Sequence, residues 1–385
     1  MRNSLTLFLL ICSPLVWGQQ TKKKTPKPTS ATSSPIIDLS PDNWEHQAGK
    51  VEFIDHKGTK AIKLNPNSGE VFLKDYVFSN GTIEFDVEVN QASPFPAVYF
   101  RRKGNNAEHV YLRTGASNRP QAVDAVQYAA VVNGVNLWDL AHEYQTSCNL
   151  KINDWNHLKL VVNGAQLRVY VNNLAEPVLD VPALEGNTSE GQIGLSTGFP
   201  GETVFANLTV TIDTEGLMAS AGADLTRHDT RYLRHWQVTK PASLPVGTEI
   251  TSQNLPQPGA EFEHISAERR GLVNLSRKFG GDPNRRYVWL KATLKAEQAQ
   301  SQMLKLGFSD EVWVYLNRVP VYVDKDNYIQ GMRKSPNGRI SLDNSQFPIH
   351  LKQGENELLI AVANNFYGWG IMARLEHLEG VTILK

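Results

Sequence analysis

NDWNHLKLVVNGAQLRVYVNN, residues 153–173, decides how this chain folds. In its first arm Leu158, Leu160 and Val162 alternate with His157, Lys159 and Val161. In its second arm Leu167, Val169 and Val171 alternate with Arg168, Tyr170 and Asn172. A side-chain period of two suits a strand with one buried face and cannot gather these residues on one side of a helix. Between the arms, Asn163-Gly164 is predicted to supply the two positive-φ positions of a tight hairpin turn. The stretch therefore predicts two antiparallel strands in a half-buried sheet.

The same signal recurs outward. From residue 37 to about 214, AIKLN, GTIEFDVEV, AVYFRRK, EHVYLRT, AVQYAAVV, HLKLVV, LRVYVN, GQIGLST and VFANLTVTI follow one another, with Gly, Pro, Asn or Asp between them. Many short strands at regular spacing predict a β-sandwich. Gly, Ala and Ser interrupt the alternation over 215–239, which reads as a linker. Strands then resume in YVWLKATLKA, QMLKLGFSDEVWVYLNRVPVYVD, RISLDNSQFPIHLKQGENELLIAVAN and WGIMARLEHL, so 240–385 reads as a second sandwich. The expected fold class is all-β, two jelly-roll sandwiches in tandem, each folding on its own.

Two resemblances refine this. The order GTIEFDVEV, a Phe-Arg strand, W-N-H-L-K-L-V-V-N-G, V-Y-V-N, G-Q-I-G-L and V-F-A-N-L-T-V resembles the closing strands of concanavalin A-like lectin/glucanase (laminin G-like) jelly rolls. The strand L-G-F-S-D-E-V-W-V-Y-L-N, the turn K-Q-G-E-N-E and the strand after G-W-G are similar to galactose-binding-like sandwiches. The first resemblance implies a concave sheet that meets sugars. The second implies a module of the kind appended to secreted carbohydrate-active enzymes.

Composition bounds the partners. The 385 residues, 41% hydrophobic, suffice for two cores, and 39 basic residues balance 39 acidic ones. No global field then draws the chain to nucleic acid or to an anionic membrane. Residues 1–18, with Arg2 ahead of an apolar run from Leu5 to Val16, have the form of a cleaved signal peptide, and the run is too short to span a bilayer. A secreted or periplasmic location without membrane insertion is expected. Ile11 before Cys12 departs from the small residue that a lipid-anchor motif places there. Residues 19–36, rich in Lys, Thr, Ser and Pro, read as a solvated tether. Removal of the leader leaves Cys148 alone, so no disulfide within the chain is available and Cys148 reads as a small buried apolar residue.

Two groups of residues carry candidate chemistry. Glu84, Asp86 and Glu88 share one face of a strand at a spacing of about 6.8 Å, within the separations of roughly 5 to 9.5 Å used by paired carboxylates in glycoside hydrolysis. E-F-D-V-E also resembles the catalytic motif of laminarinase-type glucanases, with Phe85 in place of an aliphatic residue. Its strand, however, resembles the one before the catalytic strand in those enzymes. The same row reads as an acidic ladder paired with Arg101 or Lys103. Glu108 and Asp124 complete the acid/base candidates.

The second group is a polar and aromatic face. Tyr99 and Arg101 share one side of AVYFRRK, His109, Tyr111 and Arg113 one side of EHVYLRT, and Gln127 lies on AVQYAAVV, while Val98, Phe100, Val110, Leu112, Val126 and Tyr128 point to the core. Asn133 and Trp138 belong to the loop that follows. Tyrosine rings stack on sugars and planar guanidinium forks hold hydroxyl or carboxylate oxygens; the same residues also read as a cross-strand lattice that satisfies itself.

Gly194-Leu-Ser-Thr-Gly198 fits G-x-S-x-G but lacks the helix that a nucleophile elbow requires. Ten histidines show no zinc spacing. Asp324, Asp326 and Asn327 offer oxygen ligands for a structural calcium ion, or form an ordinary polar turn, and no other cofactor is implied. Asn364-Asn365-Phe-Tyr367-Gly-Trp369-Gly reads as a glycan-facing loop or a buried structural turn. The expected function is binding of extracellular or periplasmic carbohydrate by the first sandwich. A glycoside hydrolase or keto-disaccharide hydrolase-like enzyme and an envelope adhesion protein stand as alternatives on the same fold.

Overall fold

The structure is a computed structural model that describes residues 36–119, 121–172, 175–198, 201–328 and 331–385. The leader, Cys12 and nearly all of the tether lie outside the described residues. The hairpin of residues 153–173 runs from Trp155–Asn163 into Gln166–Val171, with Leu158 opposite Val171 and Asn163 opposite Gln166. Its two-residue loop is Gly164-Ala165, one position later than the Asn-Gly pair suggested. Gly164 has φ +59° while Ala165 is not among the positive-φ residues, the sign pattern of a II′ turn with Gly in its first place. Ser220 presses on this turn: a Cβ on Gly164 would come within 2.4 Å of the Ser220 carbonyl oxygen.

Two antiparallel sheets face each other in the first sandwich. The back sheet has the order Leu179–Val181, Gln166–Val171, Trp155–Asn163, Gly81–Glu88, Thr203–Thr211, Thr59–Leu64, Val51–His56. The front sheet runs Trp44–Glu45, Glu70–Leu73, Gln192–Ser196, Ala97–Lys103, Asn106–Leu112, Val126–Val132, Gln145–Thr146, with Val135–Asn136 beside Val126–Val132. Between them Ile83, Phe85, Val87, Val98, Phe100, Val110, Leu112, Tyr128, Leu158, Leu160 and Val162 are buried, as the alternation required.

A second sandwich pairs an eight-stranded sheet, centred on Arg286–Ala296 and Gly354–Asn364, with a four-stranded one of order Leu272–Asn274, Gly370–Leu375, Gln300–Ser309, Ser345–Leu351. Trp236, Phe308 and Trp369 fill its core. The stretch read as linker ends in structure, because His235–Val238 is a strand of this sandwich. The helix Leu275–Phe279 has five residues, and no described helix is long and apolar enough to cross a membrane.

Residues from 36 onward belong to one compact unit. Leu272, Ile340 and Met372 of the second sandwich pack into the core cluster of the first. Around them Arg270 binds Glu185 through Nε and Nη2 at 3.0 and 2.8 Å and reaches the Leu140 carbonyl at 3.0 Å. Arg277 donates to the Glu185 carbonyl at 2.6 Å, and the Ile340 amide donates to the Asp139 carbonyl at 2.8 Å. Asp139 accepts from the Gly368 amide at 3.1 Å, and a Cβ on Gly368 would stand 2.3 Å from that carboxylate, so only glycine allows the approach.

Candidate functional site

Cross-strand register builds an aromatic floor on the outer face of the front sheet. Tyr99 lies opposite His109, Ala97 opposite Tyr111, and Tyr111 opposite Gln127. The His109 imidazole is stacked between two phenols, 4.9 Å from Tyr99 at 10° and 5.2 Å from Tyr111 at 15°. Burial pushes the His109 pKa down to about 4, which leaves the ring neutral at pH 7. Burial also raises Tyr99 well above, and Tyr111 to about 12 from, the ordinary tyrosine value, so both phenols keep their protons.

At one end of this floor lies a hydrogen-bonded network. Tyr111 donates to Gln127 Oε1 at 2.7 Å, Arg113 donates to the Tyr111 oxygen at 2.8 Å and to Gln127 Oε1 at 3.2 Å, and Gln127 Nε2 donates to the Trp138 carbonyl at 2.7 Å. Asn136 Oδ1 accepts from the Trp138 amide at 3.1 Å, which pins the loop from both sides of the indole. From the second sandwich the fully buried Arg339 donates to Gln127 Oε1 at 2.9 Å and to Asp124 Oδ2 at 3.1 Å, and it lies over the Trp138 ring. Arg113 lies over the same ring and within 3.6 Å of Asp124. Two guanidinium groups this close are tolerable because Asp124 sits against both.

The second sandwich also walls the floor. Tyr328 meets Trp138 edge to face at 4.9 Å, and Phe366 and Tyr367 do so at 6.4 and 6.1 Å. With Phe95, Glu70 and Asn136 these groups enclose a cleft of about 730 Å³. Its size and its mix of aromatic lining with a few polar groups are those of a small-molecule or oligomer site.

The structure gathers Tyr99, His109, Tyr111, Arg113 and Trp138 at this cleft, with Gln127 and Asp124 just behind its lining. It does not bring Arg101 there. The pairing of Ala97–Lys103 shifts register between Phe100 and Lys103, and Arg101 has φ +52°. That bulge reverses the alternation and turns Arg101 toward the hairpin end of the sandwich, where it donates to Ser79 O at 2.8 Å and Gly164 O at 2.8 Å. Asn133 is also elsewhere, donating to the Arg277 carbonyl at 2.9 Å.

Three of the four acid/base candidates lie away from the cleft. Glu84 and Asp86 belong to the back sheet, where His157 bridges them at 3.1 and 2.8 Å and Asn207 donates to Asp86 at 2.7 Å. The partners are thus His157 and Asn207, not Arg101 or Lys103. Burial pushes Asp86 up, but the bonds from His157 and Asn207 outweigh it and hold the carboxyl below its usual value; Asp86 in turn raises His157. Glu108 is in the core, accepting from Tyr128 at 2.6 Å and the Gly186 amide at 3.1 Å, and burial raises it to about 7. Asp124 is near the cleft but held between Arg113 and Arg339. Among the described residues lining the cleft, Glu70 is the one carboxylate.

Of the remaining motifs, Ser196 sits on the strand Gln192–Ser196 and accepts from the Gly198 amide at 3.2 Å, and the next described element is another strand, Thr203–Thr211. Trp369 is a core residue of the second sandwich, whereas Tyr367, from the same loop, is half exposed at the cleft. Asp324 is engaged by Lys334 at 2.7 Å and Ser345 at 3.1 Å, and Asp326 accepts from the Lys334 amide at 2.6 Å. Among the described residues no group of three or more His, Cys, Asp or Glu is arranged to hold a metal. Cys148 is half buried, and burial raises its thiol to about 11.

No protein-family model matches the chain, and no curated protein does. Solved structures similar to it include the carbohydrate-binding module CBM66 from Bacillus subtilis, 21% identical, covering 44% of this chain and 94% of that one at a TM-score of 0.34. A Bacillus licheniformis beta-glucanase is 13% identical, covering 46% and 96% at 0.33, and a Caenorhabditis elegans galectin is 16% identical, covering 45% and 99% at 0.27. Likenesses at this level assign neither a family nor an activity.

Proposed function

We propose that the protein is exported and binds carbohydrate in the cleft over the front sheet, the first sandwich being of the concanavalin A-like kind and the second of the galactose-binding-like kind. The observation that carries this reading is the stack of Tyr99, His109 and Tyr111 ending at the donors of Arg113 and Asn136. These rings cover one another's faces, so the floor offers their apolar edges to the C–H groups of a pyranose, and the hydroxyls of the sugar suit planar donors. A neutral imidazole between two protonated phenols gives a floor that needs no counter-charge.

Binding fits this cleft better than glycoside hydrolysis. Hydrolysis by paired carboxylates needs two of them across one bond, whereas among the described residues Glu70 is the one carboxylate lining the cleft, Asp124 is neutralised by two arginines, and Glu84, Asp86 and Glu108 point elsewhere. The test is a glycan array probed with the mature chain, followed by titration calorimetry and product analysis on any hit. Saturable binding without released sugar is the expected result; the absence of binding to every glycan would overturn the reading.

A further inference from the structure

The cleft has a direction. Its lining residues step across the front sheet: Glu70, then Ser196, then Tyr99, then His109 and Tyr111, and then, beyond the strand Val126–Val132, Asn136. At about 4.8 Å between strands, five steps give a groove about 24 Å long running across the strands. Val135–Asn136 and Gln145–Thr146 both flank Val126–Val132, so Asn136 stands on the edge of the sheet, and the lining ends there beside Trp138.

What stops it is solid. Trp138 is 5% exposed, with both of its backbone polar groups bonded, and Arg339 lies over its ring with no exposure at all. Tyr328 and Tyr367 then close the rim, their edges set against the indole. A lone sandwich would leave this end of the groove open, and here the second sandwich fills it.

Resting on the carbohydrate reading above, we propose that the site recognises the end of a glycan chain, one terminal sugar seated against Trp138 with its hydroxyls toward Arg113 and Asn136, and the rest of the chain leaving past Glu70. A mid-chain segment has a residue on both sides and meets the Trp138 wall. A terminal residue does not.

The experiment is titration calorimetry of the full mature chain against β-glucan, xylan, mannan and fructan, each as intact polymer and as the same mass after partial acid hydrolysis. For the polymer that binds, the number of sites per gram is expected to rise in proportion to the chain ends released. Sites per gram that stay constant while ends multiply would overturn end recognition and leave carbohydrate binding standing. No heat with any polymer or hydrolysate would overturn both. Tyr367→Gly is the accompanying variant: Tyr367 is 48% exposed with φ +56°, so glycine suits its backbone and the fold is expected to persist by circular dichroism. Its affinity for the hydrolysate is expected to fall about 3- to 10-fold, as loss of an aromatic contact does, and an unchanged affinity would contradict the role given to the wall.

Discussion

Arg270→Ala asks whether the two sandwiches work as one body. Arg270 stands in the second sandwich and forks onto Glu185 of the first at 3.0 and 2.8 Å, with further bonds to Leu140 O at 3.0 Å and Glu143 at 3.3 Å. The side chains of Arg270 and Glu185 are 13% and 9% exposed, so removing the guanidinium strands a carboxylate with little access to water. Breaking such a pair costs about 3–5 kcal/mol. For a compact unit of about 350 residues, an unfolding entropy of roughly 0.7 kcal/mol per kelvin turns that into a fall in Tm of about 4–7 °C. The assay is differential scanning calorimetry. The wild type is expected to melt in one transition, and Arg270→Ala at lower temperature or in two. The double variant Arg270→Met/Glu185→Leu, which leaves no orphaned charge, is expected to recover most of the loss. A Tm for Arg270→Ala within 1 °C of wild type, or a double variant no better than the single one, would refute the reasoning.

Arg113→Ala is expected to weaken glycan binding by about 1.5–3 kcal/mol, through loss of charge-assisted hydrogen bonds to the ligand, with circular dichroism unchanged. Asp86→Asn, on the back sheet, is expected to leave binding unchanged by calorimetry. Asp139, raised to about 7 by burial at the contact between sandwiches, favours the folded state below its unfolded value near 3.9, and that contribution is lost as pH rises through 7. The Tm of wild type is therefore expected to fall relative to that of Asp139→Asn from pH 5 to pH 8. Comparing the two proteins removes the opposing contribution of His109, whose depressed pKa costs stability as pH falls. A constant difference would mean that Asp139 ionises in the folded state as it does in the unfolded one.

Period-two alternation was enough to read the sandwiches and their core faces, because the inward residues of Trp155–Asn163 and Gly81–Glu88 are apolar except Asn156, whose buried amide is bonded to the Lys151 backbone. It also placed Tyr99, His109, Tyr111 and Gln127 on one face. Arg101 escaped it, because a bulge inserts one residue and reverses every face beyond it, and nothing in AVYFRRK marks where. The hairpin turn shifted by one position because Gly164 alone meets the conformational need. Glu70 and Asn136 carried no pattern, and Tyr328, Phe366 and Arg339 lie about 200 residues from the floor they complete, a distance that local alternation does not cross. The aromatics of 364–370 were visible as a group, but only the fold separates Tyr367, at the cleft, from Trp369, in the core.

The most direct test of carbohydrate binding by the aromatic cleft is a glycan array run in parallel on wild type, Arg113→Ala and Asp86→Asn. The expected result is one class of glycan bound by wild type and by Asp86→Asn and lost from Arg113→Ala. Binding that survives Arg113→Ala but disappears with Asp86→Asn would place the site on the back sheet and contradict the assignment.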